Sequence, residues 1–146
     1  MTETPSAPSR IRGLPSWLLG RAASRGRGLV SAALARHDMK MWHHVVLAAV
    51  ADLGPVAQAE LGRAVSLDPK DMVGVLNDLQ AEGLVVRAPD PADRRKNAVS
   101  LTAAGERRLE ECTDAGERAN EELLAPLSPA ERKQFLEMLR RVAGIA

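Results

Sequence analysis

Three consecutive cations, Arg94, Arg95 and Lys96, follow Asp90-Pro91-Ala92-Asp93 and are bracketed by Leu84-Val85-Val86-Arg87 and Ala98-Val99-Ser100-Leu101. The two flanking runs are rich in β-branched residues and read as strands, and the proline- and aspartate-rich segment between them reads as the tip of a hairpin. Such a tip holds its positive charge out in water. Guanidinium groups presented this way bind phosphate, and an arginine placed in a narrow DNA minor groove gains from the concentrated negative potential there. The plain alternative is a solvated charge run.

A second group with chemical potential is Trp17, Arg21, Trp42, His43 and His44. Indoles stack on aromatic ligands, while arginine and histidine hold anions. The same residue types at helical spacing also serve as packed core. Adjacent His43 and His44 do not share a helical face as metal ligands four residues apart would, and no Cys/His cluster has metal-ligand spacing, so no metal and no cofactor is expected. The chain contains no GxSxG, GxGxxG, phosphate-binding GKS or GKT, or HExxH, which argues against an enzyme. The single cysteine, Cys112, lies among Glu110, Glu111 and Asp114. Acidic neighbours raise a thiol pKa and suppress its reactivity, which weighs against redox sensing.

These groups need a scaffold. With 146 residues, 45% of them hydrophobic, the chain can bury one real core. One cysteine cannot build a disulfide framework, the first fifteen residues lack the apolar stretch of a signal peptide, and no run reaches the length of a membrane span. A cytoplasmic protein is expected. The net charge of +1 divides unevenly, as +5 over residues 1–40, −2 over 41–100 and −2 over 101–146, so any basic footprint is local.

Residues 1–13 read as a flexible arm. Ser16 is a good N-cap for a helix over residues 16–36 with Leu18, Ala22, Leu29, Ala32 and Ala33 at roughly helical spacing, weakened by Gly26 and Gly28. A largely buried helix over 39–53 carries Val46, Leu47 and Val50. It ends at Gly54, expected in a positive-φ conformation, and Pro55. A short helix over 58–65 turns Ala59, Leu61 and Val65 inward. Asp68 caps the next helix with Pro69 at its first position, and Met72, Val75, Leu76 and Leu79 form its apolar stripe up to the stop at Gly83.

Two helices joined by a tight turn are a helix-turn-helix candidate, and the charged hairpin that follows is a wing. Thr102 caps a long helix bearing Leu109, Cys112, Ala119 and Leu123. Ser128 and Glu131 have capping-box spacing before a last helix with Phe135, Leu136, Leu139 and Val142. The terminal helices leave apolar stripes that a small winged unit cannot cover, and a homodimer is the natural way to bury them. The expected fold is mainly α with a small β-hairpin wing: a single domain over residues 14–146, with a winged helix-turn-helix over about 54–101 and dimerisation helices over about 16–36 and 102–144.

The stretches Gly54-Pro55-Val56-Ala57-Gln58-Ala59-Glu60-Leu61, Leu67-Asp68-Pro69 and Leu79-Gln80-Ala81-Glu82-Gly83-Leu84-Val85 resemble the helix-turn-helix of the multiple antibiotic resistance regulator (MarR) family. The segment from Asp90 to Gly105 resembles that family's D-x-R wing followed by the L-T-x-x-G start of the next helix. The resemblance implies a sequence-specific transcription regulator. It would act as an obligate homodimer on double-stranded DNA, often as a ligand-responsive repressor of a pseudo-palindromic operator. The second helix of the motif would lie in the major groove and the wings would reach the flanking minor grooves. By the same resemblance Arg95 is the groove-inserting residue and Asp93 its buttress, and a small aromatic or anionic effector would sit near Trp17, Arg21, Trp42, His43 and His44.

On the recognition helix the residues turned away from the core are Lys70, Asp71, Val73, Gly74 and Asn77, the ones able to meet base edges or phosphates. Lys70 suits phosphate or guanine, and Asn77 an adenine edge or a phosphate. Asp71 either accepts from a cytosine amino group or serves the helix dipole as a first-turn carboxylate. Many family members carry Ser, Thr and Arg where this chain has Asp71, Val73 and Gly74. With Asp71, Asp78 and Glu82 against Lys70 this helix is net acidic, so the wing must supply the affinity. A competing reading follows from that acidity: a winged-helix dimer used mainly as a protein-interaction module. The arginines at positions 10, 12, 21, 25 and 27 offer phosphate contacts, or a solvated or intersubunit surface.

Overall fold

A computed structural model describes residues 7–145. Among these, the elements run in the order α1 (Pro15–Ala35), α2 (Met41–Leu53), β1 (Val56–Ala57), α3 (Gln58–Val65), α4 (Pro69–Ala81), β2 (Val85–Pro89), β3 (Asn97–Leu101), α5 (Ala103–Leu123) and α6 (Pro129–Ala143). Residues 1–6 of the expected arm lie outside the described residues. From Pro8 the backbone winds into turns, with the N–H groups of Ile11 and Arg12 donating to the Pro8 carbonyl at 2.9 and 3.1 Å. The described residues divide into two compact units, 31–116 and 7–30 with 117–145.

The central unit holds the helix-turn-helix and the wing. Its core is built by Val46, Leu47 and Val50 of α2, Leu61 of α3, Met72, Val75, Leu76 and Leu79 of α4, and Leu84, Val85 and Val99 around the sheet, all buried. Each such side chain contributes about 2 kcal/mol when it leaves water, and the four on α4 fall at i, i+3, i+4 and i+7, as the sequence pattern predicts. The sheet is antiparallel in the order β1-β3-β2. Val56 pairs with Val99 on one side of β3, and Val85 to Pro89 pair with Leu101 to Asn97 on the other. The third strand, β1, is not visible in the sequence pattern because two residues cannot display a period. The wing strands extend further towards the tip than the runs expected for them: β2 starts at Val85 and continues to Pro89, and β3 starts at Asn97.

Glycines explain two junctions. Gly54 is not at positive φ as expected; its φ is −71 and ψ 151. What requires glycine there is close approach, since a Cβ would stand 2.6 Å from the Val50 carbonyl oxygen and 3.2 Å from that of Val99. At Gly105 a Cβ would fall 2.0 Å from the Leu84 carbonyl oxygen. Thr102 completes that junction: its hydroxyl donates to the Gly83 carbonyl at 2.6 Å and accepts from the Gly105 N–H at 2.9 Å. The start of α5 is thereby tied to the exit of α4. In α3, Leu61 is buried but Ala59 is exposed, against expectation, because a helix of two turns has room for one inward row only.

In the terminal unit α1 is continuous, and Gly26 and Gly28 do not break it. Its first helical residue is Pro15, which places Ser16 inside the first turn and not at the cap. Gly26 has a packing reason: a Cβ there would meet Leu123 Cδ2 at 3.1 Å, and the neighbouring Arg25 donates to the Leu123 carbonyl at 3.2 Å. The capping box at α6 forms as expected, with the Ser128 hydroxyl accepting from the Glu131 N–H and the Glu131 carboxylate accepting from the Ser128 N–H. Leu14, Leu18, Leu19, Leu136, Met138 and Val142 are exposed in this unit. Among the described residues no helix is long and apolar enough to cross a membrane.

Candidate nucleic-acid interface

Helix α4 is anchored before it presents anything. The Asp68 carboxylate accepts from the Lys70 N–H at 2.7 Å, Pro69 stands in the first turn, and Gly83 leaves the helix at φ 74. With Met72, Val75, Leu76 and Leu79 buried beneath it, the opposite side carries Lys70, Asp71, Val73, Gly74 and Asn77, and all five are exposed. A Cβ added at Gly74 would meet nothing within 4 Å. An unfilled position in mid-helix costs stability relative to alanine, and it leaves room for another molecule to come close to the backbone.

The acidity of α4 is distributed in a way the composition does not reveal. Asp78 accepts a hydrogen bond from His43 Nε2 of α2 at 2.9 Å, and Glu82 lies 4.0 Å from Arg108 of α5. Both carboxylates therefore face partners within the same unit. Asp71 is the acidic member of the outward row.

On the wing, two aspartates shape the tip. Asp90 accepts from the Ala92 N–H at 2.9 Å, the Asp90 N–H donates to the Lys96 carbonyl at 2.8 Å, and the Lys96 N–H donates to the Asp93 carbonyl at 3.0 Å. The Asp93 carboxylate accepts from the Arg95 backbone N–H at 3.1 Å and from Arg95 Nε at 3.2 Å. These bonds, the backbone one foremost, hold the Asp93 carboxyl below the usual carboxylate range, and Lys96 adds to the effect. The Arg95 side chain is 91% exposed even so. Its Nε is engaged by Asp93, and Arg94 and Lys96 are exposed on either side.

Two participants escape sequence reasoning. Arg87, on β2, donates through Nε to Gln80 Oε1 at 2.7 Å and through a terminal nitrogen to Asn77 Oδ1, joining the wing strand to α4. A signal for it exists, since Arg87 shares the inward phase of the strand with Val85, and a cation at such a position needs a partner. The link from His43 to Asp78 has no such signal, because the residues are 35 apart in the chain.

The expected effector residues fall in both units. Trp17 and Arg21 belong to α1 in the terminal unit, and Trp42, His43 and His44 belong to α2 in the central unit. Trp42 is 49% exposed. His43 Nδ1 is buried without a hydrogen-bond partner, so the ring proton belongs on Nε2, facing Asp78. Burial pushes the His44 pKa down, which favours its neutral form over an anion-holding cation. A groove of about 310 Å³ between the end of α2 and α5 is edged by Glu106, Glu110 and Asp114. Such a lining repels anions. Cys112 is fully buried, and burial pushes its thiol pKa up, with Arg108 opposing and Glu111 adding. The acidic neighbours noted in the sequence are thus a smaller influence than the core itself.

A helix-turn-helix followed directly by a cationic β-hairpin, the two joined by Arg87 of β2, defines the winged helix-turn-helix class. Known proteins agree. A family model described as "MarR family" matches residues 37–96. The transcriptional regulator HosA of Escherichia coli O111:H- is 32% identical over 105 residues, covering 72% of this chain and 78% of HosA. The HTH-type transcriptional repressor NicR of Pseudomonas putida is 37% identical over 98 residues, 67% of this chain, and the match spans 62% of NicR. The structure of Bordetella bronchiseptica BpsR, solved to explain regulation of its DNA binding by 6-hydroxynicotinic acid, superposes with a TM-score of 0.76 at 28% identity, covering 96% of this chain and 100% of that one. The chain belongs to the MarR family.

Proposed function

We propose that this protein is a cytoplasmic transcriptional repressor that binds a pseudo-palindromic duplex as a homodimer and releases it on binding a small aromatic acid. The observation that carries the reading is the link from the exposed row of α4 to the wing strand through Arg87, which bonds Asn77 and Gln80, while Asp78 and Glu82 face His43 and Arg108. The charge argument for a pure protein-interaction module weakens because Asp78 and Glu82, though still exposed, face His43 and Arg108 and not the outward row. Lys70, Asp71, Val73, Gly74 and Asn77 enter the major groove, Arg95 enters the minor groove with Asp93 holding its Nε, and Arg94 and Lys96 take phosphates.

The exposed apolar residues of α1 and α6 support the dimer, because a monomer would leave them in water. A dimer sets two recognition helices about one turn of DNA apart. For the effector, the regulation of BpsR by 6-hydroxynicotinic acid points to aromatic acids. The exposed Trp42 next to His43, itself bonded to Asp78 of α4, offers a route by which such a ligand disturbs the DNA-reading helix. Within the MarR-type scaffold the protein acts by binding and not by catalysis.

The test is selection of bound duplexes from a random pool by the purified protein, followed by affinity against salt. An enriched inverted repeat with a steep negative salt slope is the expected result. No enrichment at low salt would favour the protein-interaction reading.

A further inference from the structure

We infer that Arg87 fixes the orientation of the Asn77 amide and thereby sets the base that Asn77 reads, an inference that rests on the DNA-binding reading above. Arg87 stands on β2 opposite Val99, and its guanidinium donates to Gln80 Oε1 and Asn77 Oδ1. Residues 77 and 80 are one helical turn apart, so the planar fork of an arginine spans both acceptors at once, which a lysine cannot do. The amide of Asn77 is therefore held with its oxygen toward the wing strand. Its amino group lies on the other side of the amide carbon and is what the exposed edge of α4 has to offer.

The chemistry of the major groove gives this a consequence. Asparagine recognises adenine by accepting from N6 and donating to N7, which needs both ends of the amide. One of the oxygen's two lone pairs is taken by a guanidinium and the oxygen is turned towards β2, so the edge left to face a base is the amino group, a donor. A donor edge matches guanine, whose N7 and O6 are both acceptors, and is repelled by the adenine N6 amino group. Asn77 in this chain thus reads guanine, where an unrestrained asparagine would read adenine. Arg87 acts here as a positioning residue and makes no base contact itself.

The experiment is a specificity profile, meaning relative affinities for every single-base-pair substitution in the selected operator, for the full-length wild type, Asn77→Ala, Arg87→Ala, Arg87→Lys and Gln80→Ala. Thermal unfolding and dimer state are measured for each variant to exclude misfolding. The wild type is expected to favour guanine at one position per half-site by roughly tenfold, and Asn77→Ala to erase that preference. Arg87→Ala and Arg87→Lys should both move it towards adenine, with Gln80→Ala intermediate. Uniform weakening across all sequences by Arg87→Ala, with a salt slope smaller by about one, would make Arg87 a phosphate contact and overturn the proposal. So would full rescue by Arg87→Lys, an adenine preference in the wild type, or an unchanged profile in both Arg87 variants. If the wild type enriches no duplex, the DNA-binding reading itself fails and takes this inference with it; every other negative outcome leaves that reading standing.

Discussion

The recognition helix and the wing tip both offer side chains to solvent, but they are held by opposite means. α4 is fixed from behind by four buried aliphatic residues and capped by Asp68, and several of its polar side chains are engaged by other elements: Asn77 and Gln80 by Arg87, Asp78 by His43. The wing tip has little core under it. Its shape comes from hydrogen bonds among its own residues, Asp90 with Ala92 and Lys96, and Asp93 with Arg95. A surface fixed by a core is suited to reading base edges, where a displacement of an ångström breaks a bidentate contact. A local turn with three cations tolerates the variation in groove width that a phosphate-tracking element meets.

The largest expected effect tests the wing half of this contrast. Arg94→Ala combined with Arg95→Ala should weaken operator binding by about a hundredfold or more and reduce the salt slope by about two, read by fluorescence anisotropy of labelled operator across salt concentrations. Operator affinity retained by this double variant would remove the wing from the interface.

Asp93→Asn comes next. It makes the wing more positive, which on charge alone would tighten binding, yet loss of the carboxylate that holds Arg95 should weaken it by roughly tenfold if preorganisation decides. Tighter binding would show that charge outweighs positioning. The pH dependence follows from the same bonds. The Asp93 carboxyl is depressed in the folded state, so its contribution is complete above the ordinary carboxylate range and is lost only as pH falls through the lower folded value. Operator affinity measured from pH 8 to pH 5 should carry no step from this group.

On the helix side, Gly74→Ala should raise stability by up to about 1 kcal/mol in urea unfolding, since the glycine fills no steric need within the chain. The same change should cut operator affinity several-fold. A gain in stability with unchanged affinity would mean that no partner approaches α4 at that point. Asp68→Ala removes the cap and should cost about 1 kcal/mol by the same measurement. The smallest effect is expected at Cys112: a buried thiol with a raised pKa should resist iodoacetamide until the protein unfolds, and peroxide should leave operator affinity unchanged. Rapid alkylation of the folded protein would show that the core around α5 opens.

Legibility followed the range of the interaction. The inward stripe of α4, the Asp68 cap, the Thr102 cap and the Ser128–Glu131 box are patterns within a few residues, and the structure contains all of them. Asp93 with Arg95 is equally local. Ser16 as a cap failed because Pro15 had already started α1. Gly54 was correct as a stop, but its reason is not a positive φ: an added Cβ would meet the Val50 carbonyl oxygen first and then that of Val99, a residue far along the chain. Ala59 was expected inward and is exposed, because the two turns of α3 show too little period to fix a face, and β1, of two residues, shows none.

By itself the sequence determined the helix pattern, the caps, the position of the hairpin and the identity of its cations, because periodicity and capping are decided by near neighbours. Only the tertiary structure decided which polar groups were engaged. Arg87 took the oxygen of Asn77, and His43 took Asp78, through approaches between elements 10 and 35 residues apart. The chemistry left on the exposed face of α4 is what remains after those partners are satisfied, and no count of residues along the helix contains that information.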